Sequence, residues 1–336
     1  MGAKIDYKFW AGIAVSVVFM GLLAAKIDVS KLAAAFAAVD YRYIAAAVGC
    51  TFLSYFMRAV RWRYLLIHEK TIPLTSLYPA TIIGYMANNI LPARLGEFVR
   101  TYVLARKEGL EFPTVFASLV IDRLFDGATV MLLLLYALFA LRLPQGMAEA
   151  ETMLKTGGLV SFALYAAILL FLLLLKRHTA VTLSWTATIL KPFPRSFSDR
   201  LIPLLGSFIG GISLSSRGRH VWSVVLASLA VWLLCVIPVD LVLRGFGITL
   251  PVSASVFILV LLVFAVMVPA SPGFIGTYHY ACFKGLSVFG IAEPQAVSIA
   301  LVLHGTAFFP VILAGMYHLW SGRISLRTIR KAGTPP

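Results

Sequence analysis

Asn88-Asn89-Ile90-Leu91-Pro92-Ala93-Arg94-Leu95-Gly96-Glu97-Phe98-Val99-Arg100 follows directly on the apolar run Leu77–Ala87. The stretch breaks a membrane-like sequence with amides, a proline, a glycine and three charged side chains. A second break, Pro269-Ala270-Ser271-Pro272-Gly273-Phe274-Ile275-Gly276, ends another apolar run. Hydrocarbon offers no partner for a free N–H or C=O. Broken backbone is therefore tolerated in a membrane only where protein or a polar cavity satisfies it. Two such breaks imply a site inside the bilayer, of the kind used for transport or lipid chemistry. Pro92, Gly96, Pro272, Gly273 and Gly276 are the residues expected to make the breaks.

The rest of the chain agrees with a membrane setting. Of its 336 residues, 60% are hydrophobic and 13% charged. Runs at 9–25, 42–60, 112–141, 157–175, 221–243 and 296–320 each approach or exceed the ~20 residues that span hydrocarbon. They are continuous rather than alternating, which excludes a barrel. The expected fold is an all-α polytopic integral membrane protein. It has about six full spans and two broken helical hairpins, re-entrant or paired, in a single domain over 1–336. The run 9–25 is long for a signal peptide and lacks a good cleavage site, so it reads as an uncleaved anchor. Cys50, Cys235 and Cys282 lie in apolar runs without metal-ligand spacing and are expected to stay free. The net charge of +15 would suggest nucleic acid in a soluble protein; here topology explains it better.

With the N-terminus inside, 21 basic residues fall in inside loops and 6 in outside loops. Both termini are then cytoplasmic. Residues 71–110 must begin and end inside, and 245–291 outside. A constant shift of 180 maps 42–60 onto 222–240, 112–141 onto 292–321, and Pro92-x-x-x-Gly96 onto Pro272-x-x-x-Gly276. One copy enters from each side, the signature of an inverted repeat with half-repeats 42–141 and 222–321. The intervening 176–220, basic and rich in proline and tryptophan, reads as interfacial helices.

Charge within spans is expensive and therefore informative. Ser118, Asp122 and Asp126 share one helical face, and Arg123 can pair with Asp126 three residues on. Arg58 and Arg61 end the second span, where they either grip a ligand or snorkel to water. Arg94, Glu97 and Arg100 join them from the first break. Arg58, Arg61, Arg94, Arg100 and Arg123 outnumber Glu97, Asp122 and Asp126 by two. Such a surplus beside a broken helix suits a phosphate headgroup. A set of neutralised structural ion pairs is the competing reading. Asn88 and Asn89 can cap backbone or bind headgroup oxygens. The second break offers Tyr278 and His279, and a nearby helix His304; His279 is a candidate for proton coupling. No metal pair, nucleophile elbow or phosphate loop stands out, so neither a metal nor a cofactor is expected.

Three motifs carry a family resemblance. They are Asn89-x-Leu91-Pro92-x-Arg94-x-Gly96-Glu97-x-x-Arg100, Ser118-Leu119-x-x-x-Arg123-x-x-Asp126, and Pro272-Gly273-x-x-Gly276-x-Tyr278. Together they resemble the lysylphosphatidylglycerol synthase transmembrane, or flippase-like domain, family. The resemblance implies a lipid translocase domain in a bacterial or archaeal cytoplasmic membrane. Bifunctional members join this part to a soluble synthase domain, which is not seen here. Some stand-alone members are linked to hopanoid, polyprenyl or envelope glycolipid pathways. Many relatives carry Glu near the position of His279, and its replacement argues against a cationic lysyl headgroup.

Three functions remain. The first is a translocase for a phosphate-bearing, glycosylated or aminoacylated lipid. The second is a membrane-embedded lipid-modifying transferase, with Glu97, Asp122 or His279 as its base. The third is a non-catalytic scaffold of an envelope lipid pathway. The expected partners are a lipid with a phosphate headgroup and the bilayer, not nucleic acid; a homo-oligomer or a biosynthetic enzyme partner is left open.

Overall fold

A computed structural model describes residues 37, 39–91, 95–141, 148–192, 195–211, 218–267 and 272–322. The run 9–25 lies outside the described residues, as do Pro92 and Arg94 of the first break. Every regular element described is helical. In chain order these are α1 (Tyr41–Leu65), α2 (Leu74–Ile90), α3 (Gly96–Glu108), α4 (Phe112–Ala140), α5 (Ala148–Arg177), α6 (Thr179–Ile189) and α7 (Arg195–Gly211). There follow α8 (Gly218–Gly245), α9 (Val252–Met267), a 3₁₀ turn (Pro272–Phe274), α10 (Thr277–Ser287) and α11 (Glu293–Ser321). Helices α1, α4, α8, α11 and the Thr156–Arg177 part of α5 are long and apolar enough to cross a membrane. They coincide with the five apolar runs that fall in the described residues. The protein is a multi-pass membrane protein.

The local chemistry explains where the helices stop. α2 ends at Leu91, whose extended backbone (ψ 144°) is what a residue before proline adopts. α3 opens with Glu97 in its first turn, where a carboxylate meets the positive end of the helix dipole. It closes on Gly109 in the left-handed region. Pro113 and Pro294 sit in the first turns of α4 and α11, where the missing N–H does no harm.

The first break is a hairpin of α2 and α3 closed by small residues. The amide oxygen of Asn88 accepts the Gly96 N–H at 2.8 Å, so Asn88 caps α3 rather than facing a ligand. A side chain at Gly96 would overlap the Gly84 carbonyl and the Asn88 amide. α2 also packs on the Pro272–Phe274 turn. A methyl group on Gly273 would lie 3.6 Å from the Asn89 carbonyl oxygen. The two breaks therefore meet.

Two apolar cores flank this meeting point. One gathers α1–α4, with Trp62, Leu77, Ile83, Leu104 and Leu119. The other gathers the far half of α4 with α8–α11, through Val130, Leu134, Val239, Ile258 and Leu286. Asp122 and Asp126 lie on α4 between them. α5 buries little: Leu159, Leu164, Leu170, Leu173 and Leu174 are exposed, toward acyl chains in a bilayer, while Leu172 and Leu175 pack on the first core.

The helix order recurs at an offset of 180. Moving α1–α4 by that amount gives 221–245, 254–270, 276–288 and 292–320, against α8–α11 at Gly218–Gly245, Val252–Met267, Thr277–Ser287 and Glu293–Ser321. The main packings recur as well. α1 packs on α2 as α8 does on α9; α3 on α4 as α10 on α11; α2 on α11 as α9 on α4; and α1 on α11 as α8 on α4. α1 and α8, counterparts under the shift, form the most extensive helix pair.

Candidate functional site

Three elements deliver charge to one place. α1 brings Arg58 and Arg61, one near-turn apart on the face toward α4 and α8. α3 brings Glu97 and Arg100. α4 brings Asp122, Arg123 and Asp126. Arg61 Nε donates to Asp122 Oδ1 at 2.7 Å, and its Nη1 lies 2.9 Å from Asp126 Oδ1. Arg58 Nη1 reaches Asp126 Oδ2 at 3.2 Å, and Arg100 Nη1 reaches Asp122 Oδ2 at 3.2 Å. Arg123 Nη1 reaches Asp126 Oδ2 at 2.9 Å, and its Nη2 reaches Glu97 Oε1 at 3.1 Å. The structure thus brings Arg58, Arg61, Glu97, Arg100, Asp122, Arg123 and Asp126 into one network.

Neutral side chains complete it. Trp232 of α8 donates its indole N–H to Asp126 Oδ1 at 3.0 Å, and Ser228 accepts from Arg61 at 3.1 Å. Tyr85 of α2 lies 2.9 Å from Arg123 Nη2, and the Arg58 guanidinium sits 5.3 Å from its ring centroid. The Arg100 guanidinium lies 3.9 Å from the centroid of Trp62, whose indole donates to Ser118 at 2.9 Å. Aromatic faces can hold a desolvated cation without neutralising it.

The network is electrically unfinished. Among the described residues it holds four arginines and three carboxylates, leaving one positive charge over. Arg58 Nε, Arg61 Nη2, Arg100 Nε and Nη2, and Arg123 Nε meet no protein acceptor, nor does Glu97 Oε2 meet a donor. Unpaired guanidinium N–H groups in a buried place are costly unless something else accepts from them. Arg61, Arg100 and Asp122 are sealed. The open members are Arg123 and Glu97, 36% and 24% exposed. Arg123 is therefore the most exposed charge of the network.

A match to the lysylphosphatidylglycerol synthase TM region spans residues 9–315. The chain belongs to that family. Within reach of this lysylphosphatidylglycerol synthase TM region, two archaeal proteins are similar. One is named Glycosyltransferase AglD, from Haloferax volcanii; it is 28% identical over 345 residues, covering 95% of this chain. The chain spans only 55% of that protein's length. The other is named UPF0104 membrane protein, from Methanothermobacter thermautotrophicus. It is 22% identical, with 90% of this chain and 92% of that protein covered. No solved structure matches.

Some residues of the site were not legible beforehand. Trp232 and Tyr85 are polar aromatics in mid-helix rather than at a span end. An indole N–H or phenol at that depth needs a partner, and this was the signal for both. Asn89 presents its carbonyl to the second break. Tyr278 and His279 stand apart from the arginines, in a group with His304: His279 Nε2 lies 3.0 Å from His304 Nδ1, and Tyr278 stacks on His304.

Proposed function

We propose that this family member is a translocase for a lipid with a phosphate-bearing headgroup, and that the arginine network is its anion grip. One observation carries the proposal: the network keeps a surplus guanidinium charge, and its most exposed member, Arg123, is held between Glu97 and Tyr85 of the first broken hairpin. Arg is suited to phosphate because its planar fork offers several donors to one group. A headgroup taking Arg123 would displace Glu97, whose Oε1 holds Arg123 Nη2 at 3.1 Å. The headgroup would then pass the point where Asn89 and Gly273 meet, its charge compensated along the way.

The recurrence of α1–α4 as α8–α11, read with the distribution of basic loops, supports two inverted half-repeats, 42–141 and 222–321, with both termini cytoplasmic. The arginine break then faces the cytoplasm. The chain carries no chemical step of its own in this reading. Each carboxylate of the network is committed to a guanidinium rather than free to act as a base.

The relative named as a glycosyltransferase favours a sugar-bearing lipid phosphate as cargo. It also favours a second reading, a membrane platform on which a separate glycosyltransferase acts. Vesicles containing fluorescent phosphatidylglycerol, with and without reconstituted protein, test the first reading through quenching of outer-leaflet dye. Arg123→Gln removes one charge-assisted hydrogen bond of about 1.5 kcal/mol, so it should slow translocation about tenfold. Equal rates for both proteins would overturn the anion grip. Covalently altered lipid after incubation would favour a transferase, and retention of a glycosyltransferase without lipid movement would favour the platform.

A further inference from the structure

The second break contains a histidine pair that the anion grip does not use. Its turn runs through Gly273 (φ 75°), Phe274 (φ 57°) and Gly276 (φ 96°), the left-handed region that side chains resist. α10 begins immediately afterwards, and its first N–H groups have no acceptor within the helix. His279 supplies one: the Gly276 N–H donates to His279 Nδ1 at 3.4 Å. His279 Nε2 lies 3.0 Å from His304 Nδ1 on α11. Two imidazoles thus tie Gly276 of the turn to α11.

The proton positions in this chain are determined by elimination. His279 Nδ1 accepts from a backbone N–H, so a neutral His279 carries its proton on Nε2. That proton must be given to His304 Nδ1. His304, whose Nδ1 accepts, is then left with its proton on Nε2. From Gly276 to His304 every donor faces an acceptor.

One added proton spoils this whichever ring takes it. On His279 it goes to Nδ1 and confronts the Gly276 N–H. On His304 it goes to Nδ1 and confronts the proton on His279 Nε2. His279 can avoid that second clash only by moving its own proton to Nδ1, where it again meets Gly276. The lowest-cost outcome keeps a charge-assisted bond between the rings and releases the Gly276 N–H. No nearby charge cancels the effect. Tyr278 stacks on His304 at 4.7 Å, and α10 also carries Cys282. Lys284 lies over the rings of Tyr280 and Phe283 on the same helix. α9, packed against α10, has no ionisable residue. α2 contributes the Asn89 carbonyl near Gly273, while Tyr85 is bonded to Arg123. On α11, Glu293 and His318 sit near opposite ends, about three and four turns from His304.

We propose that His279 and His304 together form a binding site for a single proton, which holds the second break closed when empty and frees Gly276 when filled. The site acts on the backbone of the break whatever the cargo is. Because that break touches Asn89, it ties protonation to the place where the two hairpins meet.

Nitrogen-15 NMR of histidine-labelled protein in nanodiscs tests the empty state. At about pH 8 both rings should be neutral Nε2–H tautomers, with a coupling across the His279–His304 hydrogen bond. That coupling identifies the pair without a substitution. A Nδ1–H tautomer on His279, or no coupling, would overturn the proposal. The filled state is read by a spin label on Ile275→Cys, placed where the turn is 39% exposed, with the three native cysteines changed to alanine. Between about pH 8 and about pH 3, the ratio of mobile to immobile label should rise about tenfold per pH unit of acidification through the transition, the slope of one bound proton. His304→Gln should flatten the response. A line shape independent of pH with both histidines present would sink the proposal even if His304→Gln fails to fold.

Discussion

Asp126→Asn is the sharpest test of whether the arginine network is held together as drawn. Asp126 receives four donors. Oδ1 takes Arg61 Nη1 at 2.9 Å and the Trp232 indole at 3.0 Å. Oδ2 takes Arg58 at 3.2 Å and Arg123 at 2.9 Å. Asparagine keeps the shape but has one acceptor. With its oxygen toward Arg61 and Trp232, its NH₂ faces Arg58 and Arg123, donor against donor. Two charged hydrogen bonds are lost, each worth about 1.5–3 kcal/mol. The result, about 3–6 kcal/mol, agrees with the roughly 3–5 kcal/mol expected when one partner of a buried ion pair is removed. Reversible unfolding in mixed micelles, followed by tryptophan fluorescence, measures it. Adding Arg58→Met to Asp126→Asn removes one stranded charge and should recover at least about 1 kcal/mol. A loss below about 1 kcal/mol for Asp126→Asn, the range of exposed pairs, would refute the reasoning. It would mean that water already solvates the cluster and that no dry anion grip exists.

Further outcomes follow from the same geometry. Gly96→Ala places a methyl group into the Gly84 carbonyl and the Asn88 amide, so the α2–α3 hairpin must open; thermal unfolding should show a loss of about 1–3 kcal/mol. Gly273→Ala combines a left-handed φ of 75° with a methyl group 2.8 Å from Phe308, and the same assay should report about 1–2 kcal/mol for the backbone strain alone. At the end of α3, Lys70 Nζ bonds Glu108 at 2.8 Å and holds its carboxyl below the usual range. Since the folded value is the lower one, this pair's contribution to stability is complete above the ordinary glutamate range of about 4.3 and fades only as pH falls through the folded value. Carbon-13 NMR should find the Glu108 midpoint depressed and restored by Lys70→Met; an unchanged midpoint would exclude the bond.

What the sequence revealed followed the cost of polar groups in hydrocarbon. Five apolar runs became five long helices because their length and continuity allow little else. The Pro92 and Pro272 stretches announced themselves because backbone breaks are so rare in spans. Arg58, Arg61, Arg100, Asp122 and Asp126 were legible as a group because each is too expensive to be idle there. Partner choice was not legible. Arg123 was expected to pair with Asp126, and does, but its contact with Glu97 depends on the angle between α3 and α4. Asn88 takes the capping role read for it, but that Gly96 is the N–H it caps depends on the tight hairpin crossing. His304 was read beside His279 at the second break, but not their direct hydrogen bond, since 25 residues separate them and only the α10–α11 packing joins them.

The offset of 180 makes the asymmetry of the charges meaningful. The helices recur, but the charged residues do not. The counterparts of Arg58, Arg61, Glu97 and Arg100 are Pro238, Leu241, Thr277 and Tyr280; those of Asp122, Arg123 and Asp126 are Val302, Leu303 and Thr306. Structural glue for a two-fold scaffold would be needed equally in both halves, because the same helix pairs must be held. Seven charged side chains on one side, against none at the matching positions of the other, exceed that need. Among the described residues α9–α11 pack with the same topology largely on apolar contacts, joined by the His279–His304 hydrogen bond, while α8 reaches the arginine network only through Ser228, Trp232 and Cys235. The one-sided placement is what an anion grip predicts and a purely structural role does not. Transplanting the neutral set onto the first half would therefore be expected to leave a folded bundle that has lost its hold on phosphate, whereas substituting Asp126 alone strands buried guanidinium groups and costs stability.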